Sequence, residues 1–417
     1  MFTFQFVERI GNERIKNMTQ VITETVKYMW RSEKNRLFMT LTTALVLIYS
    51  LFIVPKISGD NEVDIEMMER EMTGNVVQFE DALEKGLIVP NVLTGTTAYD
   101  QWRREAVAQR ELLTALKRGD VKRYIEIDYR PSTATEKEAS GLEQLVFNVF
   151  GYELEQPYQT EKNKVYYDEV DPLSFHIVHD RTSLQQIHLF LIGLGPVLLL
   201  LGLVFLISDV HIKDRSLQTQ KIGVPMSWQK YSFTQALTAF GFVSLFYLFL
   251  FGLFFLVNGL LYGFGSFDLP IGYYNPNFEM GFLNQDNYQV KSLGIFLVQA
   301  IPYLLLLGYL FTRLNTLLSL WTKQSVVTMV LGMFLILFQT LYYGRDFFEL
   351  ADVDLSIFPQ TYIDFGKVLT GRLEQNQLAA IPNLYTKGLI VLGLTILFTE
   401  VFIYGSSKII TRQKFMS

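Results

Sequence analysis

LFMTLTTALVLIYSLFIV, residues Leu37–Val54, carries no charged side chain. As a helix rising 1.5 Å per residue it covers about 27 Å, close to the hydrocarbon thickness of a bilayer. Five further segments have the same character: Ile187–Ser208, Ser232–Tyr262, Leu293–Phe311, Gln324–Tyr342 and Gly388–Gly405. Glu400 is the one charged residue in all six. A soluble helix of such length would show a polar face. The spacing of these segments decides the architecture. One span is followed by a polar stretch at 55–186, and a bundle of five spans fills 187–405. The fold expected is an all-α polytopic membrane protein of six transmembrane helices, with an extracellular, mainly helical domain between the first and second.

Composition agrees with that split. Half of the 417 residues are hydrophobic and 18% are charged, more than a bare membrane bundle would hold. Residues 55–186 contain 25 acidic and 15 basic side chains, against a formal net charge of −5 for the whole chain. The remainder is only slightly basic, which gives no footing for nucleic-acid binding. Cysteine is absent, so disulfides, thiolate metal sites and cysteine nucleophiles are excluded. An exported domain without disulfides leans towards a bacterial cell membrane. Thirty-six residues precede the first apolar run and no small-residue cleavage site follows it, so Leu37–Val54 reads as a retained helix, not a signal peptide.

Orientation follows from basic residues in the short connections. Residues 1–36, 209–231, 312–323 and 406–417 hold 16 lysines and arginines, whereas 263–292 and 343–387 hold five. The positive-inside rule then places both termini in the cytoplasm and 55–186 outside. Before the first span, Ile22, Val26, Met29 and Trp30 recur at helical spacing among Lys27, Arg31, Lys34 and Arg36. This predicts an amphipathic helix lying in the inner interface or packed on another protein.

Within the outer domain, Ile65, Met68, Met72, Val76, Phe79 and Leu83 form a helical stripe. Tyr99, Trp102, Ala106, Leu113 and Leu116 form a second, stopped at Gly119 after Lys117 and Arg118. Val121–Tyr129 alternates, with Ile125, Ile127 and Tyr129 on one side, and predicts a strand. Leu142, Leu145 and Val149 predict a third helix.

Catalytic signatures are missing. No G-x-x-x-x-G-K-[ST], G-x-S-x-G, H-E-x-x-H or G-x-G-x-x-G occurs, so no nucleotide is cradled by a phosphate loop of this chain and no catalytic or cofactor site is expected. His176 and His179, with Asp168, Glu169 and Asp171 upstream, are the one metal-like grouping. Their two-residue gap favours ordinary histidines, because shared ligation would need a turn between them. Glu400, a few residues from the inner end of the last span, either snorkels, pairs with Lys408 or serves transport. Pro196 and Pro302 are expected to kink their helices. The phenylalanines of 233–255 suit lipid contact, or an amphipathic substrate.

The connection Asp209–Tyr231, DVHIKDRSLQTQKIGVPMSWQKY, carries the resemblance. It is similar to the short coupling helix that joins the second and third spans in ABC-2 type transporter permeases. Asp214-Arg215-Ser216 stands at that family's acidic step and Pro225-Met226-Ser227-Trp228 at its entry to the next helix, with Trp228 in the place of an arginine. The outer stretch Phe358-Pro359-Gln360-Thr361-Tyr362 resembles the region where such permeases form short re-entrant helices. A large domain after the first span resembles the Gram-positive, sodium-exporter-like members. The resemblance implies a non-enzymatic permease subunit of an exporter. ATP and Mg²⁺ would be bound by a separate ABC ATPase docked on Asp214, Arg215, Lys221, Gly223, Pro225, Met226, Ser227 and Trp228. It also implies a second permease, either the same chain or a sister. A lever or sensor that acts on an extracellular partner without moving cargo is the alternative, and a membrane-embedded enzyme the more remote one.

Overall fold

The computed structural model describes residues 2–56, 65–86, 97–129, 156–218, 225–274, 288–343, 349–350, 353–372 and 384–416. The chain divides into two compact units. One comprises residues 1–51, 187–257 and 296–417; the other comprises 52–186 and 258–295.

The first unit begins with α1 (Phe2–Arg31) and α2 (Glu33–Ile48), the latter running into a wide turn at Tyr49–Ile53. Over residues 18–30 of α1 the apolar residues sort into two faces. Val21 and Met29 are buried, whereas Met18, Ile22, Val26 and Trp30, four apart along one stripe, stay exposed. The second unit opens with α3 (Ile65–Glu84) and α4 (Ala98–Arg118), which pair side by side. Phe79 meets the edge of Tyr99, and Asn75 donates to Gln109. Thr97 caps α4 by accepting from the Asp100 amide, and Gly119 closes it at φ 71°, the left-handed value glycine accepts without cost.

Val121–Tyr129 is α5, a helix and not the strand its alternation predicted. The reason is local. The Gly119 stop leaves Asp120 at the start of a new helix, where its carboxylate accepts from the Arg123 amide. A helix then buries Tyr124 and Ile125 together. The helix predicted around Leu142–Val149 lies outside the described residues.

Next come α6 (Gln156–Glu169), the single turn α7 (Phe175–Val178) and α8 (Ser183–Ile192). The buried hub of the second unit is Asp180. It pairs with Lys162 at 2.5 Å and accepts from Gln185 at 2.7 Å, while Gln185 also donates to the Tyr166 hydroxyl. Burial first, then the Asp180 charge, pushes the Tyr166 phenol far above its ordinary pKa and keeps it protonated. The sheet of this unit is a two-stranded antiparallel ribbon, β1 (Pro270–Tyr274) with β2 (Tyr288–Ser292), laid on α6.

The expected second span is not continuous. Helix α8 ends at Ile192, and α9 (Gly195–Ile207) starts afresh with Pro196 in its first turn, so Pro196 initiates a helix instead of kinking one. A 3₁₀ turn, Ile212–Leu217, follows. Then come α10 (Trp228–Tyr262), α11 (Leu293–Thr322) and α12 (Ser325–Tyr343). Pro302 sits inside α11 without breaking it. A minimal hairpin, β3 (Glu349–Leu350) and β4 (Val353–Asp354), leads to two 3₁₀ turns and α13 (Phe365–Leu369). The chain closes with α14 (Leu384–Ile409) and α15 (Arg412–Met416).

Among the described residues five stretches are long and apolar enough to cross a membrane: 33–53, 195–216, α10, α11 and α14. The most apolar part of α10 is only 6% buried and that of α14 22%, an outward apolar surface that water would not tolerate. Helix α12, Ser325–Tyr343, lies on the expected fifth span and is apolar over its Ser325–Phe338 part.

The Phe358–Lys367 segment is packed firmly into its unit. Tyr362 and Phe365 are fully buried, with Phe365 stacked on the Tyr303 ring at 5.8 Å. A Cβ on Gly366 would stand 2.2 Å from the Leu191 carbonyl oxygen, so only glycine permits this approach.

Candidate functional site

The described parts of the connection between α9 and α10, residues 208–218 and 225–227, are tied to their surroundings. Asp214, predicted as a charged surface contact, is wholly buried. Its Oδ2 accepts from the Tyr231 hydroxyl at 2.7 Å and from Gln235 at 3.1 Å, both on α10. A carboxylate carried by a six-residue turn requires partners when buried, and the first two turns of α10 supply them. Arg215, half-buried, donates to the Lys323 carbonyl at 2.9 Å in the turn between α11 and α12. His211 bonds Thr316 at 3.0 Å, and Asn315 donates to the Ile207 carbonyl.

The N-terminal helices reach the same place. Lys34 pairs with Asp209 at 3.1 Å, Tyr28 donates to the other Asp209 oxygen at 3.0 Å, and Lys213 lies 4.0 Å above the Tyr28 ring. Burial first, then the Asp209 carboxylate, raises the Tyr28 pKa well above its ordinary value, so the phenol remains the donor. From the other end of the chain, α15 sets Phe415 and Met416 against Leu320, Ile403 and Trp228. Arg412 donates to the Met226 carbonyl at 2.8 Å and stands over the rings of Trp228 and Tyr231. Pro225 and Ser227 remain exposed between these supports. Lys221 and Gly223 lie outside the described residues.

Glu400 corrects a second expectation. Its partner is Arg313 on α11, not Lys408, which sits over the Tyr404 ring instead. Arg313 Nε and Nη2 donate to the two carboxylate oxygens at 2.5 and 2.7 Å, and the Tyr309 hydroxyl adds a third bond at 2.8 Å. Tyr309 and Arg313 stand one turn apart on α11, so one helix supplies all three donors. The Arg313 side chain is 4% exposed and Glu400 34%.

These two features meet in one cavity of about 740 Å³. Pro225, Met226, Ser227 and Lys230 form one wall; Arg313 and Glu400 form another. The structure thus brings together the exposed part of the connection and the ion pair, and withdraws Asp214 to a supporting role beneath them.

His176 and His179 separate instead of converging. His176 packs on Tyr262 and His179 on Tyr124 and Phe175. Burial, then the Arg181 charge, lowers the His176 pKa. Among the described residues no group of three or more histidine or carboxylate side chains could hold a metal.

No known family, no curated protein and no solved structure matches this chain.

Arg313 escaped the sequence reading because the apolar run ends at Phe311 while the helix continues to Thr322. A signal was present: Thr312, Asn315, Thr316 and Ser319 repeat at three- and four-residue spacing, a polar stripe that is buried throughout. Arg412 and Phe415 offered no comparable signal in a short, polar tail.

Proposed function

We propose that this chain is the transmembrane subunit of an ATP-driven, ABC-2 type exporter, with six spans, α12 included. Both termini and the 209–231 connection lie in the cytoplasm, and the 55–186 region faces outward. Sixteen basic residues on one set of connections against five on the other support this orientation. The chain has no phosphate loop, so ATP and Mg²⁺ bind a partner ATPase. A second permease, a copy or a sister chain, completes the pathway, and the Phe358–Lys367 turns form its re-entrant segment.

One observation carries the reading: among its described residues, the connection ahead of α10 is exposed at Pro225 and Ser227 and fastened to α10 through Asp214. Pro225 and Ser227 offer the docking face, while Asp214 beneath is bonded to Tyr231 and Gln235. A push delivered there is passed directly into α10, and Lys34 and Tyr28 pass it to the N-terminal helices. Such a fastening is what ATP-driven rocking of a helical bundle requires.

The test is purification from native membranes in mild detergent. The account expects a phosphate-loop ATPase to copurify, and the chain freed of it neither to bind nor to hydrolyse ATP. Turnover by the isolated polypeptide would refute the proposal. Cargo retained inside cells when the ATPase is inactivated separates export from a cargo-free lever.

A further inference from the structure

We propose that the 740 Å³ cavity at the start of α10 binds an anionic phospholipid, with its phosphate between Lys230 and Arg313. The unmet bonding capacity of the site points to an anion. Glu400 already accepts three hydrogen bonds from Arg313 and Tyr309. Arg313 Nη1, by contrast, has no hydrogen-bond partner, although its side chain is almost fully buried. Lys230 adds a second cation to the lining, which leaves the charged walls net positive. The first turn of α10 (Gln229 and Lys230) adds the positive end of a helix dipole.

The remaining walls argue for a lipid and against a bare anion. Met18, Phe233 and Tyr404 line the cavity and are 47%, 42% and 51% exposed, an apolar rim on a bundle whose outer surface is itself apolar. An acyl chain along Phe233, Ile403 and Tyr404 removes that rim from water, and a free phosphate does not. The volume lies within the usual range of about 300–1,000 Å³ for small-molecule sites and far exceeds one phosphate. A neutral zwitterionic headgroup would bring a cation towards walls that already carry a positive excess. This inference does not rest on the ATPase reading: the site needs only the membrane.

The experiment is native mass spectrometry of the whole chain in neutral detergent, titrated in parallel with phosphatidylglycerol, phosphatidylcholine and inorganic phosphate. The wild-type protein should retain one phosphatidylglycerol in preference to phosphatidylcholine. Lys230→Glu should weaken that retention about tenfold, the usual worth of one charge-assisted contact. Lys27→Glu, an exposed position on α1 outside the cavity, should leave it unchanged. The pair Arg313→Gln with Glu400→Gln should also lose retention; should that pair fail to fold, the exposed Lys230 variant carries the test alone. Equal retention by Lys230→Glu, equal binding of the two lipids, or displacement by inorganic phosphate at matched concentration would each overturn the proposal.

Discussion

The Tyr231→Phe substitution isolates the bond that fastens the connection to α10. It removes one hydroxyl, keeps the ring stacked on Trp228 at 5.9 Å, and leaves the buried Asp214 carboxylate with one fewer donor. A hydrogen bond to a charged group contributes about 1.5–3 kcal/mol, so the turn should open roughly ten- to a hundredfold more often. Ser232→Cys provides the reporter. Ser232 is 4% exposed and its hydroxyl has no hydrogen-bond partner, so the replacement removes no bond. The chain is otherwise free of cysteine, which leaves a single thiol to follow. Its reaction rate with a small maleimide should rise by that factor in Tyr231→Phe and rise much less when Asp214→Asn is already present. An unchanged rate, or equal increments in both backgrounds, would show that Tyr231 and Asp214 are not coupled and refute the reasoning.

Other outcomes follow from the same contacts. Arg313→Gln alone leaves Glu400 without its cation and should cost about 1.5–3 kcal/mol, while Arg313→Gln with Glu400→Gln recovers part of it, read from denaturant unfolding in detergent. Gly366→Ala forces a Cβ onto the Leu191 carbonyl and should lower stability by about 1–3 kcal/mol or more, seen as a lower thermal midpoint. Single cysteines at Asp100 and Gln413 should divide, the first reacting with an impermeant thiol reagent in whole cells and the second only after lysis; labelling of Gln413 from outside would reverse the orientation. Burial raises the Asp354 carboxyl, but bonds from Lys387 and Ser356 outweigh it and hold its pKa below the usual value. Its contribution is therefore present at neutral pH and lost as the pH falls through that lowered pKa, a dependence that Lys387→Met should weaken in melting curves taken across acid pH.

The helices were legible because an apolar run of membrane length has few other uses. Their ends and partners were not. Hydropathy stopped the fourth segment at Phe311, yet α11 continues through Arg313 because its polar side chains face the protein interior, where they find His211, Glu400 and the Ile207 carbonyl. Val121–Tyr129 fitted a strand by period and a helix by capping, and the Asp120 cap decided it. Asp214 was expected at the surface and is buried instead, since nothing in DVHIKDRS states which charge turns inward. Contacts made by α15 join positions about 180 residues apart and have no periodic trace.

The central claim is that a separate ATPase docks on the face formed by Pro225, Met226 and Ser227. A photo-crosslinking amino acid placed at each position in native membranes tests it most directly, with Asp100 on α4 as the control. The account predicts a crosslinked phosphate-loop ATPase from the three inner positions and none from Asp100. Crosslinks that capture no ATPase from any of the three would contradict it.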